Sequence, residues 1–150
     1  MKRFLFLMLM SLPVCGFAHE GSGVLGDPED KANYVGDSAA ISDYIMISCK
    51  ADGSIPADKL YFQLTSNSPA DAPFLVSAQI AKDNSATNVT DPINGDVNPS
   101  RQVVVNGGEG MYRVTINKNG VGKASYSFVY HCESNEGEHA ETTDSSLQNN

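Results

Sequence analysis

The 150 residues carry a formal net charge of −8, with 41% hydrophobic residues, no tryptophan and three cysteines. That acid excess argues against nucleic acid and anionic membrane surfaces, which select basic patches, and favours cations or a basic partner. The length suits one hydrophobic core and hardly two.

The first element is an export signal. Lys2 and Arg3 precede an apolar run from Phe4 to Val14, broken only by Ser11 and Pro13, and Gly16-Phe17-Ala18 sets small residues where a signal peptidase reads them. The run is too short to span a bilayer, and no later stretch is long and apolar enough to do so. Cleavage is expected after Ala18. This leaves 132 residues beginning at His19, with eight basic against eighteen acidic residues and a net charge of −10. A rival reading takes Leu12-Pro13-Val14-Cys15 as a lipoprotein box with acylation at Cys15, although Val14 stands where such boxes want a small residue. If Cys15 leaves with the signal, Cys49 and Cys132 remain, 83 residues apart. An even pair in an oxidising compartment is expected to form a disulfide.

Residues 19–40 are polar and small, and are expected to form an arm leading into the domain. Strands follow. Ile45, Ile47 and Cys49 alternate with Tyr44, Met46 and Ser48, and Leu60, Phe62 and Leu64 with Tyr61, Gln63 and Thr65. Phe74, Val76, Ala78 and Ile80 make a third inward set; Val103 and Val105, then Tyr112, Val114 and Ile116, then Tyr126, Phe128, Tyr130 and Cys132 make three more. A weaker pattern runs from Asp83 to Thr90. A period of two kept over so many segments is the signal of half-buried sheet. Asp52-Gly53, Asn94-Gly95, Asn106-Gly107-Gly108 and Asn119-Gly120 provide the turns, and Lys118 to Lys123 is expected to join the last two strands as a hairpin. The expected fold is an all-β, small antiparallel sandwich of six to eight strands over residues 41–132, closed by one disulfide. Both cysteines fall on inward faces near strand ends, so the bridge forms if their strands are neighbours or face each other across the core. Residues 133–150 hold five acidic residues and only Leu147 as a large apolar one. They are expected to be a disordered tail.

Gly110-Met111-Tyr112-Arg113-Val114-Thr115-Ile116, a glycine-containing turn, and Tyr126-Ser127-Phe128 resemble the last strands of bacterial pre-peptidase C-terminal domains, which are secreted sandwiches appended to exported enzymes. Tyr130-His131-Cys132 resembles the tyrosine corner of immunoglobulin-type domains, without their core tryptophan or a strand expected after the cysteine. Both resemblances imply a sandwich, and neither implies an activity.

Catalytic chemistry has little to stand on: there is no Gly-x-Ser-x-Gly elbow, no His-Glu-x-x-His pair and no thiol outside the expected disulfide. A small hydrolase would need a pair of carboxylates, and none stands out. Asp83, Asn84, Asn88, Asp91, Asn94 and Asp96 offer oxygen ligands for calcium, but their spacing misses the Asp-x-Asp-x-Asp-Gly loop, and turns use the same residues. The histidines are more informative. After cleavage His19 offers an α-amine and an imidazole to one metal; His131 lies outward at a strand end, and His139 a few residues on, in the tail. The arrangement resembles the N-terminal histidine sites of periplasmic copper carriers and copper-dependent polysaccharide oxygenases, and its donors suit Cu(II). The leading expectation is therefore a secreted, non-enzymatic binding or accessory module with an unidentified partner. The second is a periplasmic or extracellular copper-binding protein with His19, His131 and His139 as ligands, against three solvated histidines.

Overall fold

A computed structural model describes residues 18–27 and 38–148 of the chain. The expected signal segment as far as Phe17, Cys15 included, lies outside them. The chain order is β1 (His19–Leu25), β2 (Ser42–Lys50), β3 (Lys59–Ser66), β4 (Val76–Lys82), β5 (Ser85–Thr90), β6 (Val103–Val105), β7 (Gly110–Lys118), β8 (Ala124–Glu133) and β9 (Glu141–Gln148). One sheet has the order β1-β8-β3-β6 and the other β5-β4-β7-β2-β9. All pairs are antiparallel, and the nine described strands exceed the six to eight expected.

Alternation sets the core. The inward residues of β2, β3, β4, β7 and β8 are buried together, among them Ile47, Leu60, Phe62, Ile80, Tyr112, Val114 and Tyr130. Burying such faces between two sheets is the main stabilising contribution to a sandwich. Cys49 on β2 and Cys132 on β8 face each other across that core as a disulfide, with Cα atoms 5.6 Å apart.

Only β4 and β5 are consecutive strands that pair with each other; every other connection crosses to the opposite sheet. The tight β4–β5 turn places Asp83 at φ 51°, a conformation that Asp tolerates better than most residues. Lys118 to Lys123 is not the expected hairpin, because β7 and β8 belong to different sheets. There Gly120 fits where a Cβ would stand 2.8 Å from the Pro73 carbonyl oxygen, and Gly122 takes φ 126°. The glycines bend the chain over the end of the sandwich rather than back along the same sheet.

Two further expectations are corrected. The N-terminal part of the arm is β1, paired with β8 from His19↔Tyr130 to Leu25↔Ala124. The tail is not disordered along residues 141–148, which form β9 on the edge of β2. β1 lacks apolar alternation because its partner strand supplies the bulk, and β9 because its inward places hold the polar Thr142 and Asp144, hydrogen-bonded to β8. A Cβ on Gly21 would collide with the Phe128 ring, and one on Gly23 with the Tyr126 hydroxyl. The rings of β8 thus lie over the backbone of β1, in the manner of aromatic rescue of edge glycines. Phe128 is buried and stacks on Phe62 with centroids 5.4 Å apart, so it has little room to yield. Gly21→Ala is expected to cost about 1–3 kcal/mol in urea denaturation, as overpacked core positions do. Ser22→Ala, on the exposed face, is expected to stay within about 0.5 kcal/mol of the parent. Equal stabilities for the two variants would contradict this packing.

Candidate metal centre

The three histidines meet at one end of β8. His19 opens β1 opposite Tyr130, its ring 5.6 Å from the Tyr130 ring. His131 stands on the outer face of β8, directly across from Tyr61 of β3. After β8, Ser134 turns the chain: its N–H donates to Glu138 O at 2.9 Å, and its Oγ accepts the Glu138 N–H at 3.2 Å. Gly137, at φ 84°, completes the reversal. His139 then bridges Glu133, and the Ala140 N–H donates to Cys132 O at 2.9 Å. A residue expected in a tail is thereby fixed against β8.

The rings form a column. Centroids lie 5.0 Å apart for Tyr61–His131, 5.9 Å for His131–His139 and 5.7 Å for His139–His19. His139 is the middle ring. Its Nε2 is buried and has no hydrogen-bond partner. An orphaned buried nitrogen of this kind costs about 1–3 kcal/mol, and few native groups are left so. The rings are stacked rather than aimed at one point: among the described residues, no three His, Cys, Asp or Glu side chains yet stand at metal-holding separation.

Around the column the polar groups are paired. His131 Nε2 lies 3.2 Å from Glu133 Oε2, and the other Glu133 oxygen is 3.1 Å from Lys59 Nζ. Burial pushes the His131 imidazole below its ordinary value of 6.5, against the opposing pull of the Glu133 hydrogen bond. The neutral ring this favours at neutral pH is the form that binds metal. Glu133 holds the Lys59 ammonium above its ordinary value. The Tyr130 hydroxyl donates to Asp144 of β9 at 2.5 Å, and burial together with that carboxylate pushes the phenol well above its usual range. Tyr126 does the same with the buried Asp43.

The disulfide sits at the base of the site. Cys132 lies between His131 and Glu133, its N–H donating to Thr142 Oγ1 at 2.9 Å. Cys49 pairs with that same Thr142 along β2–β9.

The oxygen-rich segment from Asp83 to Asp96 is arranged differently. Asp91 accepts the N–H groups of Ser66 at 2.7 Å and Ile93 at 3.2 Å. Asn94 accepts from the Ser66 hydroxyl and donates to Phe74 O at 2.7 Å. Asp83 lies in the β4–β5 turn beside Lys82, and Asp96 accepts from Asn98. These oxygens cross-link loops and do not converge.

No known family model, no curated protein and no solved structure matches the chain. The resemblances of its strand motifs therefore stand on those motifs alone.

Among the described residues, no helix is long and apolar enough to cross a membrane. The disulfide is compatible with an oxidising, extracellular environment. The sequence singled out the three histidines and the two cysteines; it missed Glu133, Lys59 and Tyr61. Their signal was parity, since Lys59 and Tyr61 share the outward face of β3 just as His131 and Glu133 share that of β8.

Proposed function

We propose that the chain is an exported, non-enzymatic binding protein whose ligand is Cu(II), held by His19, His131 and His139 together with the α-amine that cleavage after Ala18 would free. The observation that carries this reading is the buried, unpartnered Nε2 of His139 between two other imidazoles. Three imidazoles and an amine are borderline nitrogen donors that suit Cu(II). On the β1 side of β8, His19 is opposite Tyr130 and His139 is opposite Glu133. A freed α-nitrogen on His19 would thus emerge toward the gap between them. Capture requires the rings of His19 and His139 to turn toward that of His131, which Tyr61 and Glu133 hold in place, a rearrangement of side chains. A net charge of −10 on the processed chain draws cations to it. Export is supported by the N-terminal segment and by the disulfide.

The test is a Cu(II) titration of correctly processed protein, with its paramagnetic spectrum. Nitrogen coupling from two or more ligands is expected. Adding one residue before His19, or substituting His139→Ala, should each weaken binding about a hundredfold or more, since even outer-shell losses cost about 10–100-fold. His139 is thus expected to matter as much as His19. Binding no tighter than that of an unrelated peptide beginning with histidine would refute the site. Intact mass of the exported protein decides the cut, because acylation at Cys15 would bury the His19 nitrogen in a peptide bond.

A further inference from the structure

We infer that Glu133, braced by Lys59, is the positioning residue of this site: it holds the proton of His131 on Nε2 and so makes Nδ1 the atom that binds metal. The inference rests on the copper reading for its consequence but not for its geometry. A carboxylate accepts hydrogen bonds and cannot donate one. With Glu133 Oε2 at 3.2 Å from His131 Nε2, the tautomer with its lone pair on Nε2 would set two lone pairs against each other. The tautomer with Nε2–H donates instead, leaving the lone pair on Nδ1.

Both partners are held in place. Lys59 and Glu133 are a direct cross-strand pair, as are Tyr61 and His131. Lys59 Nζ lies 3.1 Å from Glu133 Oε1 and 5.5 Å from the centre of the Tyr61 ring. Tyr61 stacks on His131 almost in parallel, at 8°. The Tyr61 face thus fixes the plane of the imidazole, and Glu133 fixes its rotation within that plane. Metal-binding histidines commonly donate their second nitrogen to a carboxylate, which orients the ring and raises its basicity. Here that partner is present, buried and itself ion-paired, on the one histidine of the three that has such a contact.

The experiment begins without metal. Nitrogen-15 spectra of the His131 ring in the metal-free protein, recorded alkaline of its titration, should show Nε2 protonated and Nδ1 bare. Glu133→Leu should move the ring toward a mixture of tautomers, and Glu133→Gln, which keeps an acceptor oxygen, should largely restore it. Zn(II), a diamagnetic probe, should then perturb Nδ1 of His131 rather than Nε2. With Cu(II), Glu133→Leu should lose about 10–100-fold in affinity and change its nitrogen coupling, with a smaller loss for Lys59→Gln. A bare Nε2 in the parent, or a Zn(II) response at Nε2, would overturn the assignment. So would a Glu133→Leu protein that binds Cu(II) as the parent does. If the parent binds no metal, the copper reading fails, while the metal-free spectra still decide the role of Glu133. Glu133→Gln and Lys59→Gln carry the test if the leucine variant does not fold.

Discussion

Ending the chain after Asn135 is expected to destabilise the domain by more than about 4 kcal/mol. The cut removes β9, and with it the partner of β2 from Tyr44 to Lys50. Three losses combine. Ala140 and Thr142, both buried, leave the base of the disulfide. The Tyr130 hydroxyl loses Asp144, and the Cys132 N–H loses Thr142. Buried groups left unpaired cost about 1–3 kcal/mol each. Finally, β2 becomes an edge with a row of unpaired backbone groups beside a hydrophobic core. Against a typical total of about 5–15 kcal/mol, this leaves little. Thermal unfolding measures the sum, and amide exchange along β2 locates it. Asp144→Ala, which keeps the strand, should cost only about 1–3 kcal/mol. A truncated protein melting within a degree or two of the parent would mean that β9 contributes no stability.

What could be read in the sequence was what burial writes into it. Ile45, Ile47 and Cys49, or Leu60, Phe62 and Leu64, alternate because one side of each strand meets the core, and that pattern predicts strand, face and the position of the disulfide. β1 and β9 were illegible for opposite reasons. In β1 the inward places belong to Gly21 and Gly23, whose space is filled by Phe128 and Tyr126 of another strand. In β9 the places opposite Cys49 and Ile47 belong to Thr142 and Asp144, whose polarity is matched by the Cys132 N–H and the Tyr130 hydroxyl of β8, 10 and 14 residues earlier. One clue was available. Tyr126 and Tyr130 share the inward face of β8, and a buried phenol requires an acceptor, which the apolar strands do not offer. Asp43 meets the first need and Asp144 the second. The meeting of the histidines was legible only in part. His131 and His139 are eight residues apart, but their contact depends on the turn at Ser134 and Gly137, and His19 arrives only because β1 pairs with β8 in the register His19↔Tyr130.

Breaking the disulfide should weaken the fold and the site together. The bridge closes a separation of 83 residues. For a loop of that size the chain-entropy model gives about 4.5 kcal/mol, and native bridges removed from small secreted domains cost about 2–5 kcal/mol. Replacing both cysteines by alanine should lower stability by that amount in urea. The local consequence follows from where Cys132 stands. It separates His131 from Glu133, takes the Ala140 N–H that seats His139, and donates to Thr142 of β9. Cys49 pairs with the same Thr142. Without the bridge, the residues that carry His131 and His139 are tied to β2 only through core packing and hydrogen bonds, which open more readily than a covalent link. At a temperature where the double variant remains folded, Cu(II) affinity is therefore expected to fall as well. Faster amide exchange at Cys132 and Ala140 should accompany that fall. Free-thiol labelling of both cysteines in freshly exported, non-reduced protein would remove the premise. A bridge-free protein that keeps its full copper affinity while losing stability would show that the hairpin alone holds the histidines together.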